Sequence, residues 1–213
     1  SKVAGEEVLS ALAACKQGTT TTAGAPPAGK LELLDISAGS REFVTEERAK
    51  ELLEPLEAGT ESLWRIKLGN KSFGEEAAKL AAKILAASSA RIVEADLSDI
   101  MAGRPEDEAL YALTLITEAL EGSTLRLLDL SDNAFGEKGV RACTKLLKSQ
   151  KAIEELAFQN NGISKEASQA IAELVTPSNL KRLHFFNNMT GDAGAEHLAK
   201  VRYYAAQMQE MQS

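Results

Sequence analysis

Residues 125–136 read LRLLDLSDNAFG, residues 153–164 read IEELAFQNNGIS, and residues 180–191 read LKRLHFFNNMTG. Residues 63–74, LWRIKLGNKSFG, follow the same L-x-x-L-x-L-x-x-N-x-φ-G pattern, with Lys71 standing where the others carry Asn133, Asn161 and Asn188. A weaker copy, IVEADLSDI, covers residues 92–100 and puts Ile100 at that position. The interval is 28 residues from Asn133 to Asn161, 27 from Asn161 to Asn188 and 29 from Lys71 to Ile100. It widens to 33 between Ile100 and Asn133, which places an insertion around Met101–Pro105. Self-similarity at a fixed period of this length marks a chain built of stacked strand–helix units.

The pattern is that of a leucine-rich repeat. Its spaced Leu positions point inward from a short strand, and the Asn serves backbone groups of the following turn. A helical stretch follows each motif. In residues 74–88, GEEAAKLAAKILAAS, Ala77, Leu80, Ala81, Ile84 and Leu85 share one face. Residues 105–120 open on Pro105 with acids behind it, as a helix start does. Residues 136–147, 164–175 and 191–212 complete the set. The expected fold is α/β: a solenoid with parallel strands on the concave face and helices on the convex face. Residues 61–213 would hold about five repeats, and residues 31–60 an N-terminal cap with a strand at 31–36 and a helix at 45–57 opened by Thr45. Residues 1–17 read as an amphipathic helix and residues 18–30 as a linker.

Composition agrees with this reading. Of 213 residues, 34 are Ala and 28 are Leu, while aromatics make up 5%. Helix formers therefore dominate, and a large all-β fold is excluded. No apolar run reaches the roughly 18 residues of a membrane span. The net charge of −7 argues against a general nucleic-acid binder. Two cysteines, Cys15 and Cys143, are too few for a disulfide framework, so a reducing compartment is expected.

Enzyme chemistry finds little support in the residues. Residues 24–30, GAPPAGK, match half of a phosphate loop, but Leu31 replaces the magnesium-binding hydroxyl, and Pro26 and Pro27 remove backbone donors. His184 should face the concave surface and His197 the convex one, too far apart for a shared metal, and Cys143 reads as helix core. The sequons at Asn70 and Asn188 are expected to be silent. The concave ladder is the better candidate. In register its central outward residues are Lys67, Asp96, Asp129, Ala157 and His184, and its C-terminal edge carries Asn70, Asp99, Asp132, Asn160 and Asn187. Six acids (Glu94, Asp96, Asp99, Asp129, Asp132 and Glu155) gather there, a patch that would steer a basic protein partner. Arg104, in the insertion, either protrudes toward a partner or pairs with Glu108.

Specific strings add a resemblance. Residues 130–140 (LSDNAFGEKGV) and 99–106 (DIMAGRPE) resemble Ran GTPase-activating proteins, and residues 160–167 (NNGISKEA), 186–192 (FNNMTGD) and 34–43 (LDISAGSREF) resemble the plant and green-algal type in particular. The likeness runs from about residue 31 to 199, and residues 1–16 faintly resemble the tail of the WPP domain that targets plant members to the nuclear envelope, though Trp-Pro-Pro itself is absent. The resemblance implies an activator that is no enzyme by itself. It needs no cofactor, because GTP and magnesium sit on its partner, Ran-GTP. It also implies a cytoplasmic place, with nuclear-envelope anchors engaging the N-terminal region. It further implies that no arginine finger is used: an asparagine, here Asn160, holds Ran's glutamine, which orients the attacking water. Arg104 maps to the family's insertion arginine as a contact or positioning residue. Asp132, Asn187, Asp99 and Asp129 are then expected partner contacts. The family has about twice as many repeats followed by an acidic tail, so this chain resembles a portion of such a protein. The alternative is a non-catalytic leucine-rich repeat scaffold that binds a protein partner.

Overall fold

A computed structural model describes residues 32–59, 63–134, 136–175 and 179–210, with side chains up to residue 201. The expected first helix, the linker with its phosphate-loop-like string, and Cys15 lie outside these residues.

Each repeat motif is a short strand, and the strands pair in parallel and in sequence order. They are β1 (Glu32–Asp35), β3 (Leu63–Lys67), β5 (Glu94–Asp96), β6 (Leu127–Asp129), β7 (Glu155–Ala157) and β8 (Arg182–His184). The register aligns equivalent repeat positions: Arg65, Glu94, Leu127, Glu155 and Arg182 form one row, and Lys67, Asp96, Asp129, Ala157 and His184 another. Between them, Ile66, Ala95, Leu128 and Leu156 are buried, as alternation along a strand requires. The sequence-derived rows are therefore the observed ones.

The helices are α1 (Glu46–Glu57), α2 (Glu75–Ser88), α3 (Glu106–Ala119), α4 (Gly136–Ala142), α5 (Thr144–Ser149), α6 (Lys165–Leu174) and α7 (Gly191–Glu210). Successive helices pack on one another, α1 on α2, α2 on α3, α3 on α4, α4 on α6 and α6 on α7. Thr45 accepts from the Arg48 amide and Ser164 from the Ala167 amide, so both helix starts are side-chain capped. Small residues make the contact close: Ala77, Ala78, Ala81, Ala82, Ala109 and Ala112 are buried between neighbouring helices and the strands. One core runs the length of the described chain.

Two features depart from the sequence reading. Residues 136–147 do not form one helix. The chain is interrupted at Cys143, whose amide is shared between the carbonyls of Gly139 (3.1 Å) and Val140 (3.2 Å), a tightened turn between α4 and α5. A second parallel pair, β2 (Glu42–Val44) with β4 (Lys71–Phe73), lies outside the main sheet. It joins the segment after β1 to the turn after β3.

Cys143 is wholly buried, and burial pushes its thiol up to about 12 against a weaker opposing hydrogen bond from Thr117. Thiol labelling of the native chain at pH 8, read by peptide mass, should leave Cys143 unmodified and modify it in denaturant. Labelling of the native chain at this position would refute the buried placement.

Candidate functional site

The turn after each strand is what positions the candidate residues. Asp35, Asp96 and Asp129 each end a strand, and each carboxylate accepts from the amide of the Ser two positions on: Ser37 (2.9 Å), Ser98 (3.0 Å) and Ser131 (2.8 Å). The repeated D-x-S is thus a turn brace. The bonds from Ser37 hold the Asp35 carboxyl below its usual range, against a smaller opposing effect of burial. The residue after Ser98 and after Ser131, and its counterpart in the other three repeats, then stands at positive φ: Asn70 (59°), Asp99 (53°), Asp132 (62°), Asn160 (55°) and Asn187 (55°). Asn and Asp tolerate this left-handed backbone better than other side chains. Backbone geometry alone therefore accounts for the Asn/Asp type at all five edge positions.

The next residue turns the other way. Asn133 is 3% exposed; its Oδ1 accepts from the Ile100 amide and its Nδ2 donates to the carbonyls of Leu97, Leu130 and Ser131. Asn161 accepts from the amides of Asn133 and Ala134 and donates to Leu130. Asn188 repeats the arrangement toward Asn161 and Ile163. This ladder ties each turn to the next. Lys71, in the same position, reaches the Ala38 carbonyl and Glu42 instead. Of each Asn pair, the second is structural and the first is exposed.

Asp132, Asn160 and Asn187 form a row along the edge. Asn160 Nδ2 donates to Asp132 Oδ1 (2.5 Å), and Asn187 Nδ2 donates to Asn160 Oδ1 (2.8 Å). All three are exposed. Phe186 and Met189, 75% and 79% exposed, flank the end of this row in the chain.

The other expected contacts are placed differently. Asp99 is buried, and both its oxygens are gripped by the guanidinium of Arg41 at 2.8–2.9 Å. Arg104 does not protrude. Its side chain is 18% exposed, and its donors go to Ser72 Oγ (3.2 Å), the Ser72 carbonyl (2.9 Å) and Glu108 (3.1 Å). Its guanidinium carbon sits 5.1 Å from the centre of the Phe43 ring. Gly103, at φ +78°, lies under the same ring, where an added Cβ would come within 2.8 Å of it. A Cβ at Gly74 would likewise meet Arg104 at 2.9 Å. The Gly-Arg pair of the insertion is therefore clamped by β2 and β4.

Sequence reasoning missed Arg41 and Phe43, which brace the insertion. Their partners lie about 60 residues on (Arg41 to Asp99 is 58), so no local signal pairs them.

The six-acid patch shrinks in the same way. Arg65 pairs with Glu94 (2.5 Å), Arg41 with Asp99, and Lys67 lies 3.9 Å from Asp96. Glu155 accepts from Arg182, which with a smaller effect of His184 holds its carboxyl below the usual range against the effect of burial. Among the described residues, Asp129 and Asp132 remain without a cationic partner. A shallow hollow of about 280 Å³ on the sheet face is bordered by Leu33, Arg65, Lys67, Asp96, Leu127 and Asp129. His184 lies beside Glu155 on this face, and His197 on α7. Among the described residues there is no metal-ligating cluster of His, Cys, Asp or Glu. No described helix is long and apolar enough to cross a membrane.

The chain is similar to "RAN GTPase-activating protein 1" of Arabidopsis thaliana, with 53% identity over 122 residues, 57% of this chain and 23% of that one. It is 34% identical over 141 residues to "Ran GTPase-activating protein 1" of Xenopus laevis, covering 64% of this chain and 24% of the relative. The protein of that name from Saccharomyces cerevisiae is 27% identical over 146 residues, with 67% of this chain and 36% of the relative covered. The chain thus spans about a quarter of the length of the first two relatives. No family model matches it. A solved Leiomodin-1 Actin-Binding Site 2 (ABS2) chain aligns over 95% of both chains at 16% identity, with a TM-score of 0.37, too low to establish a shared fold.

Proposed function

We propose that this chain is the leucine-rich repeat part of a Ran GTPase activator. Its parallel strands form the concave face of a solenoid, and that face receives GTP-loaded Ran. Ran supplies the GTP, the magnesium and the glutamine that orients water. Asn160 supplies an amide that holds this glutamine in its reactive pose. The reading is carried by the 53% identity to a relative named RAN GTPase-activating protein 1.

The geometry is compatible with it in two respects. Asn160 is exposed, and after its bonds to Asp132 and Asn187 it keeps one N–H and one acceptor lone pair. A glutamine amide needs that complement. Arg104, by contrast, spends its donors inside the chain, which favours a positioning role over insertion into a partner's active site. Asp129 is a proposed contact on the same face; Asp132 and Asn187 act through the Asn160 amide they bond, and Asp99 acts at one remove, by holding Arg41.

The test is single-turnover hydrolysis by GTP-loaded Ran with increasing amounts of the chain. The rate should rise by orders of magnitude and saturate. A rate independent of the chain at high micromolar concentration would overturn the proposal.

A further inference from the structure

We propose that Asp132 and Asn187 act together as positioning residues that set which way round the Asn160 amide stands. The role rests on the activator reading above.

An asparagine amide is nearly symmetric in shape but opposite in chemistry at its two ends. Turned by half a rotation, Asn160 would offer an acceptor where it now offers a donor. A partner amide would then meet repulsion at both contacts. What prevents the rotation is the row itself. Asp132 is a carboxylate, able only to accept, so it selects the nitrogen of Asn160 (2.5 Å). That leaves the oxygen of Asn160 facing Asn187, whose Nδ2 donates to it at 2.8 Å. The direction of the whole row follows from its one acceptor-only member. An all-amide row would be equally content in either direction.

The backbone makes the row possible. The three residues are 28 and 27 positions apart, one repeat each, and their φ values of 62°, 55° and 55° are nearly the same. Their amides are held alike, Asp132 N–H by the Gln159 carbonyl (2.9 Å) and Asn160 N–H by that of Phe186 (3.2 Å). Identical left-handed turns stacked at one repeat spacing bring the three side chains into line. The Asn160 amide is consequently oriented before any partner arrives, so the ordering cost is not left to the encounter.

The discriminating variant is the charge-conserving exchange of Asp132→Asn with Asn187→Asp. Both residues tolerate the left-handed backbone, so the fold is kept, as an unchanged thermal melt would verify. The exchange moves the acceptor-only group to the other end and reverses the row. At saturating chain, hydrolysis by GTP-loaded Ran should fall about tenfold or more, the scale of a misplaced transition-state group, with the half-saturating concentration within about threefold. A maximal rate equal to wild type overturns the proposal. So does a rise in half-saturating concentration alone, because that is the signature of ordinary contacts. In the free chain, the side-chain amide signals of Asn160, identified by their loss in Asn160→Gly, should include one proton shifted downfield by the carboxylate, and Asp132→Ala should return it to the position of a free amide. An unchanged signal also overturns the row. If wild-type chain gives no acceleration, the activator reading itself fails; if wild type accelerates and the exchange has no effect, only the positioning role fails.

Discussion

Asn160→Gly should lower the saturating rate of Ran-GTP hydrolysis by about 10²–10³-fold, the usual loss when one pre-positioned hydrogen-bonding group is removed from a transition state. Glycine is the informative replacement. Asn160 stands at φ 55°, where alanine is strained by about 1–2 kcal/mol and glycine is not. Asn160→Ala therefore mixes the loss of the amide with backbone strain, whereas Asn160→Gly should keep the wild-type melting temperature. Asn160→Asp should fail as well: it retains size and backbone preference but loses the donor and sets a second carboxylate beside Asp132. Binding of GTP-loaded Ran should survive in the glycine variant, because the proposed role of the amide is on Ran's glutamine and not in docking. A glycine variant as active as wild type would remove Asn160 from the mechanism. The scaffold alternative predicts binding without acceleration in every variant, wild type included.

Asn133→Ala should be the more damaging change to the fold. The Asn133 side chain is buried, accepts from the Ile100 amide at 2.9 Å and donates to the carbonyls of Leu97 and Leu130 at 2.9 Å and of Ser131 at 3.1 Å. Alanine takes the acceptor from the buried Ile100 amide and the donor from the Leu97 carbonyl, while the Leu130 carbonyl keeps Asn161 and the Ser131 carbonyl keeps the Asp99 amide. A loss of about 3 kcal/mol is expected. In a chain of this size that corresponds to a melting temperature lowered by about 6–12 °C. The exposed Asn70→Ala, which meets only left-handed strain and the loss of a 3.3 Å bond to the Ser37 carbonyl, should cost about half as much or less. Chemical denaturation of both variants checks the order. A smaller loss for Asn133→Ala than for Asn70→Ala would refute the load assigned to the buried ladder. Because Asn133 ties the insertion to the next repeat, its variant should also expose the segment from Ile100 to Arg104 to protease.

The repeat was legible because it is local. Inward Leu and Ile at fixed spacing, and the helical face of Ala77, Ala81, Ile84 and Leu85, need no partner to be read. The in-register rows followed from the period alone. Element ends were less legible: all six main strands are only three to five residues long, and the helix expected over 136–147 is split at Cys143. The pairing of β2 with β4 left no mark in the sequence, since neither three-residue segment has a pattern of its own.

The candidate site divides along the same line. Asn160 was readable as the exposed member of its Asn pair, by its place in the repeat. That its type is also demanded by a left-handed turn was not readable, because φ is a property of the folded backbone. Charge was the least legible quantity. Six carboxylates in one strip look like a field; four of them have cations within 4 Å, and Arg41 reaches Asp99 from 58 residues away. Arg104 looked free to protrude because nothing near it in sequence but Glu108 can hold it, while Ser72 and Phe43 can.

The sequence by itself determined the period, the parallel strand rows, the helices between them and the residues at each strand edge, because all of these repeat within about 30 residues. Only the tertiary structure decided which charges are neutralised, that the insertion is clamped, and that Asp132, Asn160 and Asn187 share one hydrogen-bonded row. Those are contacts between turns a whole repeat or more apart, and no local preference encodes them.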